Sequence, residues 1–304
     1  MMVENVRLID RLLVVALNFK YYYLKIYICQ AVKYVINMDL REIIIDSIKY
    51  PISDTRKFLM FCALIILMSL STILPSYGLK NDTLSIILSL VTLIVSFIVL
   101  GYSVEVIKNG TEGDNTLPDF DYVKQFVMGI KAFILDMIYF IIPAVIVIIV
   151  ASASGLFTSF TKIVYASIDA IADGASNFTM IMAAIPQSTV TSFTNALTVT
   201  LIVAIILFIL FSLMAVTGLV RFAKSESGIE GLRFKEILKD MSNVGFIKII
   251  VTLIVIYIIA LVLAVVIGLI GLIPYIGVFI GIFVGVPFIM LFLYRAIGLL
   301  YSDA

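Results

Sequence analysis

Six long apolar runs constrain this chain more than any other feature of its sequence. A helix of roughly 20 apolar residues spans the hydrocarbon of a bilayer and satisfies all of its own backbone hydrogen bonds there. The composition agrees, since 62% of the residues are hydrophobic and only 13% are charged. The sequence therefore predicts an all-α integral membrane protein with one domain, residues 38–301. Its six transmembrane helices are expected at about 58–75, 84–107, 132–151, 197–220, 247–272 and 275–300.

The basic residues indicate how these helices are oriented. Of the 21 Lys and Arg residues, all but Lys80 and Lys162 lie on the side of the N-terminal segment and the alternate loops. Because short loops rich in Lys and Arg stay in the cytoplasm, we expect a cell-membrane protein with both termini cytoplasmic. The outside loop at 152–194 should form one or two surface helices. Asn81 and Asn177 begin sequons in outside loops and are candidate glycosylation sites.

An internal repeat is a further expectation. Amphipathic segments precede the first, third and fifth spans, and in the last of them Phe234, Ile237 and Met241 share one helix face. Such helices usually lie in the headgroup plane. The sequence thus predicts three pseudo-repeats of an interfacial amphipathic helix plus a helical hairpin, at 39–110, 119–228 and 232–301. The alternative is that any polytopic protein has basic inside loops followed by spans.

The first 37 residues differ from the rest. Basic residues interrupt the apolar ones, so the segment is neither a span nor a signal peptide. We expect residues 1–37 to be an N-terminal extension arising from a mis-called start, with Met38 as the true first residue. The alternative is a basic surface helix.

The sixth span contains a double GxxxG pattern, GVFIGIFVG, formed by Gly277, Gly281 and Gly285. Such a face lets another backbone approach closely. It predicts either tight packing within one chain, or a pore lining or homo-oligomer contact. Pro143 and Pro287 also lie within spans and predict kinks or local breaks.

Two acidic residues lie within or at the edge of spans. Asp136 is about one turn inside the third span, and Glu105 is near the inner end of the second. Ionisable residues in spans suggest function, so one hypothesis is a proton or cation path beginning at Asp136. The alternative is a pair of charges at headgroup level, with Lys131 and Lys108 as the nearest partners in sequence.

The inner loop EGDNTLPDFDYVKQF is the most acidic stretch of the chain. Pro118 suits the first turn of a helix, and a carboxylate such as Asp119 is favoured near a helix N-terminus. The stretch therefore predicts a turn at Gly113 followed by a helix cap at Pro118 and Asp119.

No catalytic, cofactor-binding or metal-binding residues are predicted. The chain has no His, and its two cysteines, Cys29 and Cys62, are far apart and outside any CxxC motif. The net charge of +1 provides no basis for a nucleic-acid partner. The lipid bilayer is the expected partner.

Three stretches, SIKYPISD, GYSVEVIKNGTEGDNTLPDF and FVMGIKAFILDMIYFIIP, resemble an archaeal membrane-protein family known as domain of unknown function 4013. The likeness extends over about 38–301, and Gly113 to Phe120 is its most specific part. Since that family has no established activity, the resemblance implies topology without a reaction. We expect a non-enzymatic, multi-pass protein with a scaffold, envelope or assembly role; the alternative is a transporter or channel for a small or lipidic substrate.

Overall fold

The computed structural model describes residues 39–76, Gly78, 81–273 and 277–302. The N-terminal extension, which contains Cys29, lies outside these described residues. Met38, the expected true first residue, lies outside them as well. Cys62 is a buried, free thiol. The described residues form α1 (Asp39–Lys49), α2 (Thr55–Ser76), α3 (Asp82–Glu112), α4 (Tyr122–Ala153), α5 (Leu156–Ala172), α6 (Phe178–Ala184), α7 (Gln187–Ser225), α8 (Phe234–Val244), α9 (Phe246–Gly271), α10 (Gly277–Ile280) and α11 (Val286–Leu300).

Shorter helical segments join some of these helices. Two 3₁₀ turns, Tyr50–Ile52 and Glu230–Leu232, precede α2 and α8, and a π-helix, Gly281–Gly285, connects α10 to α11. The described part of the chain contains no β-strand. Helices α2, α3, α4, α7, α9 and the segment Gly281–Leu300 are long and apolar enough to cross a membrane. The prediction of an all-α protein with six membrane-spanning helices is therefore confirmed.

The protein core lies towards one end of the bundle. We call this the basic end, because Lys108, Lys124, Arg221 and Arg295 lie there. Buried side chains from α3, α4, α7, α8, α9 and α11 form the largest core cluster at this end. Away from it, apolar side chains such as Leu90 are mostly exposed and face the positions that lipid would occupy.

Glycines allow the helices to approach closely at the basic end. A Cβ added at Gly110 of α3 would lie 2.8 Å from the Cα of Gly298 on α11. A Cβ at Gly101 or Gly129 would collide with a backbone carbonyl of the neighbouring helix, at Gln125 and Phe97 respectively. Close backbone approach at small residues is the usual way in which membrane helices pack.

The amphipathic segments differ from the expected repeat. Helices α1 and α8 are separate from the spans that follow, and Gly245, with φ of 97°, divides α8 from α9. In the middle unit, by contrast, α4 is one continuous helix from Tyr122 to Ala153. A separate interfacial helix before the third span is thus absent from this described segment, because no helix-breaking turn interrupts it. The threefold repeat stays a prediction.

Two helices, α5 and α6, occupy the segment between α4 and α7. The Ser154 and Thr200 hydroxyl oxygens lie 3.4 Å apart, and the Phe160 and Phe193 ring centroids lie 6.3 Å apart. Ser154, just before α5, lies near Thr200, whereas Phe160 within α5 lies near Phe193, which is closer to the start of α7. The two helices therefore run antiparallel. Helix α7 has 39 residues, or about 58 Å at 1.5 Å per residue, and therefore extends beyond a hydrocarbon layer of about 30 Å.

The glycines of the sixth span face α9 of the same chain. A Cβ at Gly285 would lie 2.6 Å from the Cδ1 atom of Ile267, and one at Gly277 would collide with the backbone at Ile270. The local break predicted at Pro287 corresponds to the π-helix that ends two residues earlier, since a proline cannot donate a hydrogen bond to the preceding turn. Helix α4 continues without interruption through Pro143.

Candidate functional site

The loop between α3 and α4, Gly113–Asp121, is the centre of the polar structure at the basic end, and we call it the clamp loop. Gly113 ends α3 with φ of 72°, a left-handed conformation that glycine adopts without strain. Asp114 then folds the chain back, because its carboxylate accepts hydrogen bonds from the Thr116 N–H and hydroxyl, both at 2.9 Å. These two bonds lower the pKa of Asp114, so the turn is held by an ionised side chain.

Side chains from four helices and a 3₁₀ turn bind the backbone carbonyls of the clamp loop. A backbone carbonyl without a hydrogen-bond partner is costly when it is removed from water. Here five carbonyls, those of Asp114 and of residues 116–119, accept hydrogen bonds from side chains outside the loop. The donors are Arg295 to the Asp114 oxygen, Tyr50 and Asn109 to Thr116, Lys57 to Leu117, Tyr102 to Pro118 and Gln125 to Asp119.

Arg295 is a charged donor with a fully buried side chain. Its Nε donates to the Asp46 carboxylate of α1 at 2.7 Å, and its other nitrogens donate to the Asp114 carbonyl and the Asn115 side-chain oxygen. The guanidinium carbon lies 4.5 Å from the centroid of the Tyr50 ring. All three guanidinium nitrogens therefore donate hydrogen bonds and one face packs against an aromatic ring, and such pairing is the condition under which a buried charge is tolerated.

Tyr50 itself is fixed as a donor. Its hydroxyl donates to the Thr116 carbonyl at 2.9 Å, and burial, as the largest cause, raises its pKa. The phenol therefore keeps its proton throughout the physiological pH range. Tyr50 thus links the Arg295 guanidinium to the clamp loop at two points, through its ring and through its hydroxyl.

A second polar network joins α3, α4 and the end of α7. Glu105 is 8% exposed and accepts a hydrogen bond from Gln125 at 2.7 Å and an ion-pair contact from Lys124 at 3.0 Å. Lys124 also lies 3.4 Å from Glu226, which pairs with Lys108 at 2.8 Å. Lys108 is the main cause that lowers the pKa of Glu226. The carboxylates at this junction are therefore balanced by lysines from neighbouring helices.

The loop that follows α7 is held by a third set of contacts. Arg221 of α7 lies 2.9 Å from Glu230 and 2.6 Å from Asp240 of α8. The Tyr139 hydroxyl of α4 donates to the Gly231 carbonyl at 2.7 Å. The loop after α7 is thus fastened to α4, α7 and α8.

A cavity of about 420 Å³ opens beside the clamp loop. Three lysines line it, and each is paired with a carboxylate: Lys57 with Asp119, Lys108 with Glu226, and Lys124 with Glu105. The described residues contain no group of three His, Cys, Asp or Glu side chains that could hold a metal ion. The cavity is therefore a polar hollow between ion pairs that already tie the helices together.

The helix cap predicted at Pro118 and Asp119 is wrong, because the cap lies at Asp121. Helix α4 begins at Tyr122, and its N-cap is Asp121, whose carboxylate accepts from the Lys124 N–H at 3.1 Å. Pro118 and Asp119 precede the helix, because their carbonyls are bound by Tyr102 and Gln125. Asp119, predicted as the cap, instead forms an exposed ion pair with Lys57.

The other predicted residues have separate environments. Glu105 pairs with Lys124 and not with Lys108, its nearest candidate in sequence. Asp136 is exposed on α4 and makes no ion pair with another residue in the part of the chain that the structure describes. Asn81 and Asn177 are the N-caps of α3 and α6, each accepting a backbone N–H through its side-chain oxygen.

Sequence reasoning misses the residues that hold the clamp loop. In the sequence, Arg295 counts only as a basic residue of the C-terminal end, nothing singles out Asp46, and Tyr50 enters only as part of the stretch SIKYPISD. A signal is present, since Arg295 lies inside an apolar run and an ionisable residue in a span is unusual. Its partner is not visible, because Asp46 is 249 positions away.

The fold and the polar network define the class of protein, a helical multi-pass membrane protein whose spans are tied together at one end by buried hydrogen bonds. The family follows from comparison with known proteins. A family model described as "Protein of unknown function (DUF4013)" matches residues 84–273, which is more than half of the chain, so the chain belongs to this family. The match is shorter than the expected likeness over 38–301 and includes the whole clamp loop. No curated protein and no solved structure matches the chain.

Proposed function

We propose that this protein is a non-enzymatic membrane scaffold with a role in the envelope or in assembly. The observation that carries the proposal is the clamp loop. One short segment binds side chains from the 3₁₀ turn after α1 and from α2, α3, α4 and α11 through its backbone carbonyls. Such an arrangement holds the helices in one position relative to one another.

A static arrangement favours a scaffold over a transporter. Alternating access requires one group of helices to rock against another around a central site. Here that movement would break the buried Arg295–Asp46 pair and the hydrogen bonds of Tyr50 and Lys57 together. The cavity beside the clamp loop lies at the basic end and is lined by paired charges, so it provides no polar route towards the opposite end.

The alternative, a transporter or channel for a small or lipidic substrate, is supported by one feature. The π-helix Gly281–Gly285 interrupts the sixth span, and such interruptions often occur at functional sites. In the proposed topology both termini and the basic end face the cytoplasm. The archaeal source and the threefold repeat also stay predictions.

Reconstitution in sealed vesicles separates the two functions. We expect vesicles that contain the protein to release protons, potassium and small organic solutes no faster than protein-free vesicles. In the cell, the role would then depend on the folded bundle, so Arg295→Lys should impair complementation of a deletion strain in proportion to its loss of stability. A solute flux that Gly281→Leu abolishes while the variant remains as stable as the wild type would overturn the scaffold proposal.

A further inference from the structure

A second cavity, of about 440 Å³, lies between α4 and the loop after α7, and we call it the α4 groove. Its walls are mostly apolar: Ile134, Leu135 and Ile138 come from α4, and Ile229 and Leu232 from the loop. Leu135 is buried and contacts Gly231, so the base of the groove is packed. Ile229 is 72% exposed, although it lies in an otherwise polar loop.

Lys131 lines the α4 groove and differs from the lysines of the polar cavity. It is exposed and makes no ion pair with any other residue that the structure describes, whereas Lys108 and Lys124 each have a carboxylate partner. The one acidic residue of the groove, Glu226, is already bound by those two lysines. The groove therefore presents one uncompensated positive charge.

The order of these groups along α4 matches the order of groups in a membrane lipid. Lys131 lies at the basic end of α4, and Ile138 lies seven positions further into the apolar part of the span, about 10 Å at 1.5 Å per residue. An occupant would meet a cation first and apolar walls next. Anionic headgroups attract basic side chains at this level of a membrane, and apolar side chains accept acyl chains there.

We propose that the α4 groove binds one anionic phospholipid from the leaflet at the basic end. Its phosphate contacts Lys131, and the first part of one acyl chain lies between Ile138 and Ile229. The inference depends on the groove alone and is independent of the scaffold role. It assigns a ligand to Ile229, which lines the groove and is 72% exposed.

Native mass spectrometry of the detergent-purified full chain tests the proposal. Long-chain phosphatidylglycerol should give a single-lipid adduct, and phosphatidylcholine with the same chains should bind more weakly. Lys131→Ala should weaken the phosphatidylglycerol adduct about fivefold, and Ile229→Ser should weaken it as well. Lys239→Ala, which removes an exposed lysine of α8 outside the groove, is the matched control and should leave the adduct unchanged.

Two further arms distinguish the source of the phosphate. Dihexanoyl phosphatidylglycerol and inorganic phosphate share the anionic group but lack long chains, and they should bind much more weakly than the long-chain lipid. Equal binding of these probes would indicate a free-anion site and overturn the lipid assignment. The assignment also fails if Lys131→Ala binds the lipid as well as the wild type, or if Lys239→Ala loses as much binding as Lys131→Ala while both variants retain the wild-type circular dichroism spectrum.

Discussion

Replacing Arg295 by Met tests whether the buried cation holds the basic end together. The change removes three hydrogen bonds and the contact with Tyr50, and it leaves Asp46, the Asp114 carbonyl and Asn115 without their shared donor. Breaking one side of a buried pair costs about 3–5 kcal/mol. Because the Asp46 side chain is 33% exposed and water can reach it, we expect the lower part of that range.

The variant Arg295→Lys refines the test. Lys keeps the charge but lacks the planar fork that reaches three acceptors at once, so its free energy of unfolding should fall between those of the wild type and Arg295→Met. A double-mutant cycle with Asp46→Asn should give a coupling energy of about 1 kcal/mol or more, since contacting charged residues are not additive. The control is Arg233→Met, which removes an ion pair whose Arg side chain is 58% exposed and should change stability by less than about 1 kcal/mol.

Unfolding would be followed in mixed micelles by far-ultraviolet circular dichroism as sodium dodecyl sulfate is increased, because the chain contains no Trp for fluorescence. Proteolysis of the clamp loop provides a second readout, since loss of Arg295 should expose the loop before the spans unfold. A surface ion pair contributes at most about 1 kcal/mol. If the free energy of unfolding of Arg295→Met lies within that amount of the wild-type value, and its clamp loop resists protease as well as the wild-type loop, then the clamp loop does not hold the helices together.

Three further changes test other contacts by the same unfolding assay. Gly298→Ala should destabilise by about 1–3 kcal/mol by overpacking, because its Cβ would collide with the backbone carbonyl of Ile107 on α3. The control Gly268→Ala has open space and should be neutral or stabilising by up to about 1 kcal/mol. Asp121→Ala should cost about 1 kcal/mol as the loss of an N-cap, and an equal or larger cost for Asp119→Ala would contradict that assignment. Glu226 has a lowered pKa, so its contribution is present at neutral pH and is lost as the pH falls below about 4.5; the stability difference between the wild type and Glu226→Gln should shrink over that range, and a constant difference would contradict this.

The spans could be predicted from the sequence because each is a local property. Twenty apolar residues in a row leave few structural choices in lipid, and the helices α2, α3, α4, α7 and α9 all contain such a run. The amphipathic pattern before the fifth span also corresponds to a helix, α8, whose Ile237 and Met241 are fully buried. This helix therefore packs its apolar face onto the protein core, although Phe234 and Leu238 at the edge of that face stay partly exposed.

The helix cap shows why local signals can mislead. Pro118 followed by Asp119 has the chemistry of a helix start, yet the helix begins three residues later, after Asp121. Tyr102 and Gln125, which come from two different helices, bind the carbonyls of Pro118 and Asp119 and hold this segment outside the helix. A tertiary contact therefore decides between two sequence-compatible caps.

The contacts of the clamp loop lie beyond sequence reasoning for a related reason. The residues that make them are ordinary one at a time: a tyrosine, a lysine and an asparagine near basic loops. They become a site only when α1, α3 and α11 are brought together, and that arrangement depends on close contacts such as Gly110 against Gly298. Arg295 alone offers a usable signal, as a cation inside an apolar run.

The distance in sequence between Asp46 and Arg295 also sets an order of events during synthesis. The acceptors of the clamp loop and donors such as Tyr50 and Lys57 leave the ribosome early, but Arg295 belongs to the sixth span, 249 positions after Asp46. Until that span is made, the Asp46 carboxylate and the Asp114 carbonyl of the clamp loop lack their Arg295 donor. Entry of α11 supplies this donor, so we expect the clamp loop to be held completely only after the sixth span has been inserted.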